Sequence, residues 1–317
     1  MKAQIFKIHS DFYYANTTEG VFECKIREVL KKQREQIFVG DYVELEQENF
    51  ASKQAFIFKI LPRKNFITKP KVANIDRVII VSAVKEPELD FEQLNRYLCF
   101  CEYYKIKPVL CFNKNDLCDS DDIVTKIKNI YTPLGYETVF TSALNKNGIN
   151  ELENILAGNT TVLCGASGVG KSSIANALNS NLNLRTKPIS EKTGRGTHTT
   201  RHCEIIELEF ADKRTARLVD TPGFSHLKFD FLLPSAIGEL FPEITELESG
   251  CKFKDCLHEQ EIGCNIIENK DKIDDSRYES YLKFVNEAKE YKTKVTYSGT
   301  KTESGSKISV SYTHLRA

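Results

Sequence analysis

Three nucleotide-binding segments occur in this chain in an unusual order. The guanine-reading sequence Asn-Lys-Asn-Asp at residues 113–116 precedes the phosphate-binding loop at residues 165–172. The sequence Asp-Thr-Pro-Gly at residues 220–223, which serves Mg²⁺ and the γ-phosphate, comes last. Since the phosphate loop comes first in an ordinary GTPase, this order predicts a circularly permuted GTPase domain with GTP and GDP as its ligands.

The phosphate-binding loop has the pattern G-x-x-x-x-G-K-S, follows an apolar strand and opens a helix. Glycines let the backbone approach a phosphate closely, and the helix adds its positive end. Lys171 is predicted to bind the β- and γ-phosphates and to act in catalysis, and the Ser172 hydroxyl is predicted to bind Mg²⁺. The residues predicted to contact the nucleotide here are Gly165, Ala166, Ser167, Gly168, Val169, Gly170, Lys171, Ser172 and Ser173.

The choice of GTP over ATP depends on the residues that face the base. Asp116 can accept hydrogen bonds from the two neighbouring donors on guanine, which adenine does not offer. Asn113 is expected to hold the base and the loop, and the stem of Lys114 to cover the base. At the end of the next strand, the Ala143 N–H is expected to donate to the guanine carbonyl and Ser142 to brace Asp116.

A metal and γ-phosphate site is predicted where the last strand of the domain ends. Asp220 is expected to hold Mg²⁺ directly or through water, and the Gly223 N–H to meet the γ-phosphate. The glycine-containing segment at residues 194–200 resembles a switch loop that orders around triphosphate. One of Thr199 and Thr200 is predicted to close on Mg²⁺. Thr200 is favoured and is also predicted to act in catalysis.

The catalytic group that orients the attacking water is not the usual one. Phe224 stands where many regulatory GTPases have a glutamine, and phenylalanine cannot position water. His198 in the switch loop is therefore the predicted catalytic residue. The alternative is a histidine that faces solvent, with a partner supplying the missing group.

A metal site of a different kind is predicted near the C-terminus. Cys251, Cys256, His258 and Cys264 follow the spacing C-x₄-C-x-H-x₅-C. Three thiolates and one imidazole can surround a single structural Zn²⁺ and leave no open coordination position. The alternatives are free thiols or a disulfide. The other seven cysteines are scattered among apolar residues and are expected to be reduced and buried.

The fold class follows from the sequence pattern along the chain. Short strand-like runs at residues 1–65 predict an OB-like β-barrel, a common oligonucleotide binder. Alternating strands and helices at residues 72–233 predict an α/β domain with a mostly parallel sheet. Residues 234–297 are predicted to form a zinc-binding helical module, and residues 298–317 to be a disordered or non-native tail.

The charge and hydropathy patterns set limits on partners and location. Lys+Arg and Asp+Glu are both 44, so only a local basic patch could attract nucleic acid. Two basic groups are candidates for RNA contact, with a solvated surface as the alternative. The first comprises Lys25, Arg27, Lys31, Lys32 and Arg34, and the second Arg63, Lys64, Lys69 and Lys71. Without an apolar run long enough to span a membrane, and without a secretory signal, a cytoplasmic location is expected. The oligomeric state is open, with a monomer as the default.

Taken together, these features resemble the ribosome small-subunit-dependent GTPase family (RsgA, also called YjeQ). The resemblance covers residues 1–292 and depends on the motif order, on residues 194–200 and 220–224, and on the zinc spacing. It implies a bacterial GTPase that binds the small ribosomal subunit and its rRNA late in maturation, with hydrolysis stimulated by the subunit and coupled to release of assembly factors. It also implies a catalytic role for His198.

Two other functions remain open at this point. One is a permuted GTPase that acts on another ribosomal particle, against which the barrel and zinc site argue. The other is an RNA-binding protein that uses GTP only as a structural ligand. Lys171, Ser172 and Asp220 argue against that second alternative because they are the residues that hydrolysis requires.

Overall fold

The computed structural model describes residues 1–33, 35–178, 203–220, 227–229 and 231–298, with side chains to residue 290 and without that of Asp220. Its strands are β1 (Lys2–His9), β2 (Phe12–Thr17), β3 (Gly20–Ile26), β4 (Tyr42–Asn49), β5 (Gln54–Ile60), β6 (Phe66–Ile67), β7 (Val72–Ala73), β8 (Arg77–Ala83), β9 (Lys107–Asn113), β10 (Glu137–Phe140), β11 (Thr160–Cys164), β12 (Glu204–Glu209) and β13 (Thr215–Asp220). Its α-helices are α1 (Glu28–Lys32), α2 (Phe91–Tyr104), α3 (Asp122–Tyr131), α4 (Ile149–Leu156), α5 (Lys171–Leu178), α6 (Pro242–Glu248), α7 (Asn265–Glu268) and α8 (Asp275–Ser298).

The first five strands form a closed barrel in the order β1-β2-β3-β5-β4, closed by pairing of β4 with β1. Alternate residues such as Ile5, Phe22 and Ile57 point inward and are fully buried, as period-two strands require. This strand order confirms the predicted OB-like barrel. The short helix α1 was not predicted.

The central domain contains a six-stranded sheet in the order β10-β9-β8-β11-β13-β12, which is parallel except for β12. Its strands are nearly continuous apolar runs because helices cover both faces. Helices α2 and α3 pack on one face, and α4 and α5 on the other. Asp90 caps α2 by accepting a hydrogen bond from the Gln93 N–H at 3.0 Å. The predicted α/β domain is thus confirmed.

The permuted order places the nucleotide-binding segments at one edge of this sheet. Strand β9 ends at Asn113, β11 ends directly before the phosphate loop, and β13 ends at Asp220. Because these strands are parallel, their carboxyl ends lie on the same side, where open α/β sheets bind ligands. The barrel continues the sheet beyond its last strand, β12. There Lys7 on β1 pairs in register with Glu204 on β12, and the two side chains form a 2.6 Å ion pair.

The C-terminal region is helical and has its own apolar core, which includes Phe241, Ile266 and Phe284. Residues Pro234–Ala236 form a short 3₁₀-helix, and α6 starts at Pro242, where proline suits the first helical position. Helix α8 is the longest of the described helices and ends at Ser298. No helix among the described residues is long and apolar enough to cross a bilayer.

A buried polar network joins this region to the central domain. The Arg277 guanidinium donates to both carboxylate oxygens of Glu243, at 2.6 and 3.0 Å, and to Asn95 Oδ1 at 3.1 Å. The Asn95 side chain also accepts from the Tyr131 hydroxyl at 2.8 Å and donates to Ser280 Oγ at 2.9 Å. A charge buried this deeply is tolerated because carboxylate and amide partners surround it.

Candidate functional site

The phosphate loop between β11 and α5 depends on glycine. Gly165 and Gly170 have φ values of +140° and +97°, in the region that side chains disfavour. A Cβ on Gly165 would lie 2.1 Å from the Val81 carbonyl oxygen of the neighbouring strand. The loop can therefore wrap tightly enough to present its N–H groups to a phosphate only with glycine at these positions.

Lys171, the first residue of α5, lies inside the curve of this loop. Its Nζ donates to the carbonyl oxygens of Gly165 at 2.9 Å and Ala166 at 2.7 Å. Burial lowers the pKa of Lys171, and a phosphate anion beside it would act in the opposite direction. This position suits a lysine that exchanges its carbonyl partners for phosphate oxygens.

Asn113 connects the base-reading segment to the phosphate loop. Its Nδ2 donates to the Val169 carbonyl at 2.9 Å, across 56 residues of sequence. Its Oδ1 accepts from the Ala143 N–H at 3.1 Å and from the Thr141 hydroxyl at 3.3 Å. One buried amide thus joins three loops that come from distant parts of the chain. The Thr141 contact was not predicted, because nothing in the local sequence indicates where that hydroxyl points.

The remaining base-reading residues lie beside this junction. Asp116 is in the 3₁₀-helix Asn115–Leu117, directly after β9, and its carboxylate is exposed to solvent. Lys114 has a left-handed backbone, and its Nζ donates to the Glu86 carbonyl oxygen. The Ser142 hydroxyl accepts from the Asn145 N–H at 3.1 Å within its own loop, and its role in bracing Asp116 stays a prediction.

The structure describes only part of the predicted Mg²⁺ site. Ser172 and Ser173 are half-buried in the first turn of α5, at the mouth of the phosphate loop. Asp220 ends β13, whose residue Val219 pairs with Val162 of the strand that leads into this loop. The predicted site residues outside the described part of the chain are His198, Thr199, Thr200 and Gly223.

The four predicted zinc ligands come together in the C-terminal module, with their ligand atoms within 4.8 Å of one another. Cys251 Sγ lies 3.6 Å from His258 Nδ1 and 3.9 Å from Cys264 Sγ, and His258 Nδ1 lies 3.4 Å from Cys264 Sγ. Tetrahedral zinc with Zn–S of about 2.3 Å requires S···S of about 3.8 Å and S···N of about 3.5 Å. A disulfide requires about 2.05 Å, so Cys251 and Cys264 are not paired in that way. The cluster fits one structural zinc ion, as predicted.

The zinc loop is held from the outside by hydrogen bonds. The hydroxyls of Tyr278 and Tyr281 on α8 donate to the carbonyls of His258 at 2.7 Å and Leu257 at 2.8 Å. Burial acts to raise the pKa of Glu261, but hydrogen bonds from backbone N–H groups lower it to about 2. The loop geometry therefore depends on α8 and on an ionised carboxylate as well as on metal ligands.

Burial also shifts the pKa values of two of the predicted zinc ligands. It raises the pKa of Cys256 to about 12 and lowers the pKa of His258. Both groups thus favour their uncharged forms unless a cation compensates them. A bound Zn²⁺ provides that compensation, because it takes thiolates and neutral imidazole as ligands.

Several residues of the two basic groups form ion pairs with carboxylates of the protein itself. Arg63 donates to both carboxylate oxygens of the fully buried Asp41, at 2.6 and 2.7 Å. Lys64 pairs with Asp76 at 2.9 Å, and Arg27 pairs with Glu46. Arg63 is therefore a structural residue, which its neighbours in sequence did not indicate. The exposed members are Lys25, Arg27, Lys31, Lys32, Lys64, Lys69 and Lys71, and Arg34 lies outside the described residues.

Comparisons with known proteins agree with this architecture. The profile of the RsgA GTPase family matches residues 60–230, and that of the RsgA N-terminal domain matches residues 2–57. The chain is 38% identical over 292 residues to a protein of Caldanaerobacter subterraneus subsp. tengcongensis named small ribosomal subunit biogenesis GTPase RsgA, with 92% of this chain and 96% of the relative covered. A protein of the same name from Clostridium kluyveri is 40% identical over 292 residues, with 90% and 98% covered.

Solved structures show the same fold over most of the chain. YjeQ from Thermotoga maritima is 34% identical with a TM-score of 0.78, covering 90% of this chain and 98% of the other. YloQ, described as a circularly permuted GTPase, is 29% identical with a TM-score of 0.74, covering 91% and 95%. From its motif order, its barrel, its central sheet and these matches, we conclude that the chain belongs to the RsgA GTPase family.

Proposed function

We propose that this protein hydrolyses GTP to GDP and phosphate on the small ribosomal subunit, and that hydrolysis is coupled to late maturation of the subunit and to release of factors. The observation that carries this proposal is the Asn113 side chain, which joins the base-reading loops to the phosphate loop. One guanine nucleotide can then contact both. The relatives named small ribosomal subunit biogenesis GTPase RsgA support the choice of partner. We place the protein in the cytoplasm as a monomer.

The residues around the phosphates would divide the work of hydrolysis. Lys171 exchanges its loop carbonyl partners for the β- and γ-phosphate oxygens. The Gly223 N–H would contact the γ-phosphate. Ser172 and Asp220 would hold Mg²⁺ together with Thr200, or alternatively Thr199. The ion, when bound, neutralises charge that develops on the phosphate oxygens.

His198 is proposed to orient the attacking water, because Phe224 cannot. Replacing His198 with alanine is expected to lower turnover in the presence of small subunits by about a hundredfold or more, as loss of a positioned acid–base group does. Affinity for GDP, measured with a fluorescent GDP analogue, should change by less than about threefold, because the base and β-phosphate contacts remain. Unchanged stimulated turnover would eliminate this role.

The barrel presents a surface suited to rRNA. Lys25 on β3 pairs in register with Phe56 on β5, and the Lys25 Nζ lies 5.3 Å from the centre of the Phe12 ring on β2. Phe56 and Phe58 are each 38% exposed, whereas Ile57 between them is fully buried. Exposed aromatic rings beside a lysine can stack on bases and contact the RNA backbone. These residues support the proposal that the barrel binds rRNA.

The direct test measures GTP turnover by the protein alone, with small subunits and with large subunits. Small subunits are expected to raise the rate by at least about tenfold, because a partner completes the site in slow GTPases. Large subunits should leave the rate unchanged. Equal stimulation by both particles would favour another ribosomal target, and no turnover in any mixture would favour a purely structural role for GTP.

The assay of GTP turnover with small subunits also tests whether the exposed aromatic residues of the barrel contact rRNA. With Phe56→Ala, the concentration of small subunits that gives half-maximal stimulation should rise by about tenfold, since one stacked base contributes about 1–3 kcal/mol. Phe56→Tyr keeps the ring and serves as the matched control. If the alanine and tyrosine variants behave alike, Phe56 does not stack on RNA.

A further inference from the structure

The turn that follows β8, at residues 84–87, lies beside the base-reading segment and has no role in the proposed mechanism. Strand β8 ends at Ala83, which pairs in parallel register with Asn113 at the end of β9. The Val84 N–H then donates to the Asn113 carbonyl oxygen at 3.1 Å. The turn and the base-reading segment therefore leave the sheet side by side, at the edge where open α/β sheets bind ligands.

Two lysine side chains add to this attachment. Lys114 Nζ donates to the Glu86 carbonyl oxygen, and Lys85 Nζ forms a 2.7 Å ion pair with Asp119. The ion pair is exposed on both sides, so it contributes little free energy. The bond from Lys114 has a different consequence, because it fixes the far end of the side chain whose stem is predicted to cover the guanine base.

The backbone of the turn decides where the Glu86 carbonyl points. Glu86 has a φ of +56°, and Lys114 has a φ of +62°. Both values lie in the left-handed region, which residues other than glycine adopt rarely. A lysine that is free in solvent occupies many rotamers, and ordering it against a ligand reduces affinity. A lysine already held at Nζ loses less freedom when the base binds.

We infer that Glu86 is a positioning residue for guanine nucleotides, whose carbonyl holds the Lys114 side chain so that its stem can lie along the base. This inference rests on the proposed function, since it assumes that the base lies against Lys114. The acting group is the carbonyl and not the Glu86 carboxylate. The contribution should be the same for related purine bases, because a hydrocarbon stem packs on the ring face, whereas Asp116 reads the ring edge.

The test is equilibrium titration of GDP with the native protein, Glu86→Pro and Glu86→Asn. Proline locks φ near about −65°, so it moves the carbonyl away from Lys114. The dissociation constant should rise by about three- to tenfold, which is the cost of ordering one rotamer-rich side chain. Glu86→Asn is the matched control, because it removes the same carboxylate but asparagine tolerates positive φ, and its affinity should stay within about twofold. Equal affinities of the two variants would overturn the inference.

A second titration with inosine diphosphate separates positioning of Lys114 from general damage to the loop. Inosine lacks the 2-amino group of guanine, so it offers Asp116 one donor fewer. Glu86→Pro should weaken binding of both nucleotides by the same factor, because packing of the stem on the ring face does not involve that group. A larger loss for GDP would mean that Asp116 has been displaced. The turn would then only support the loop, and the inference would be wrong.

A double variant tests whether Glu86 acts through Lys114. Lys114→Met removes the donor and keeps an unbranched stem, so adding Glu86→Pro to it should weaken GDP binding no further. Additive losses would show that the two residues act separately and would overturn the inference.

Two further comparisons keep the result decisive. Should Glu86→Pro not fold, Glu86→Val replaces it in both titrations and in the double variant, because a β-branched residue also disfavours positive φ. Failure of the native protein to bind GDP would contradict the proposed function itself. Tight GDP binding by the native protein and equally tight binding by the Glu86 variants would contradict only this inference.

Discussion

Gly170→Ala is expected to reduce affinity for GDP by roughly a hundredfold while the protein remains folded. A Cβ at this position would lie 2.2 Å from Asn113 Nδ2, closer than nonbonded atoms can approach. The Asn113 side chain must therefore move. Its hydrogen bonds to Val169, Ala143 and Thr141 would then be lost or distorted.

The size of the effect follows from those three bonds. Each contributes about 1 kcal/mol net, so their joint loss weakens the nucleotide site by about 3 kcal/mol. That free energy corresponds to roughly a hundredfold in the dissociation constant. Equilibrium titration with a fluorescent GDP analogue measures it directly.

Gly20→Ala separates this clash from backbone strain. Gly20 has a φ of +103°, close to the +97° of Gly170, but a Cβ there meets no atom within 4 Å. Both variants should lose about 1 kcal/mol or more of stability because alanine disfavours positive φ. Only Gly170→Ala should lose nucleotide. Similar GDP affinities in the two variants would show that the Asn113 junction does not matter for binding.

The positions of the nucleotide-binding segments were predictable because each directly follows a buried strand. Parallel strands end on the same edge of a sheet, so Asn113, the phosphate loop and Asp220 had to lie near one another. The contact between Asn113 and Val169 was not predictable, because 56 residues separate them. It depends on which strands become neighbours, and one sequence does not reveal that order.

For the basic residues after the barrel, neighbouring residues in the sequence were not enough to predict their role. Arg63 and Lys64 were candidates for RNA contact because other basic residues follow them. The structure gives Arg63 a buried partner, Asp41, and gives Lys64 the partner Asp76. The sequence shows that these residues are positively charged, but it does not show which distant carboxylate neutralises each of them. The zinc ligands were predictable for the opposite reason, since all four lie in one short loop.

Cys264→Ala is expected to abolish stable zinc binding and to unfold the loop at residues 251–264. Removal of one of the four ligands should lower zinc affinity by more than about a hundredfold, since changes to the surrounding shell alone cost about 10–100-fold. Binding of structural zinc contributes about 10–16 kcal/mol in zinc-finger peptides, so this loop depends on the ion for its fold. Elemental analysis of purified protein and limited proteolysis check both effects.

Cys99→Ala is the matched control for this prediction, because Cys99 is also a buried cysteine of the same apolar core but is not a predicted ligand. It should retain one equivalent of zinc and resist proteolysis. A chelator should lower the thermal stability of the native protein and of Cys99→Ala, but not that of Cys264→Ala, which has already lost the ion. A full equivalent of zinc in Cys264→Ala would contradict the four-ligand site, because three ligands would then suffice to hold the metal.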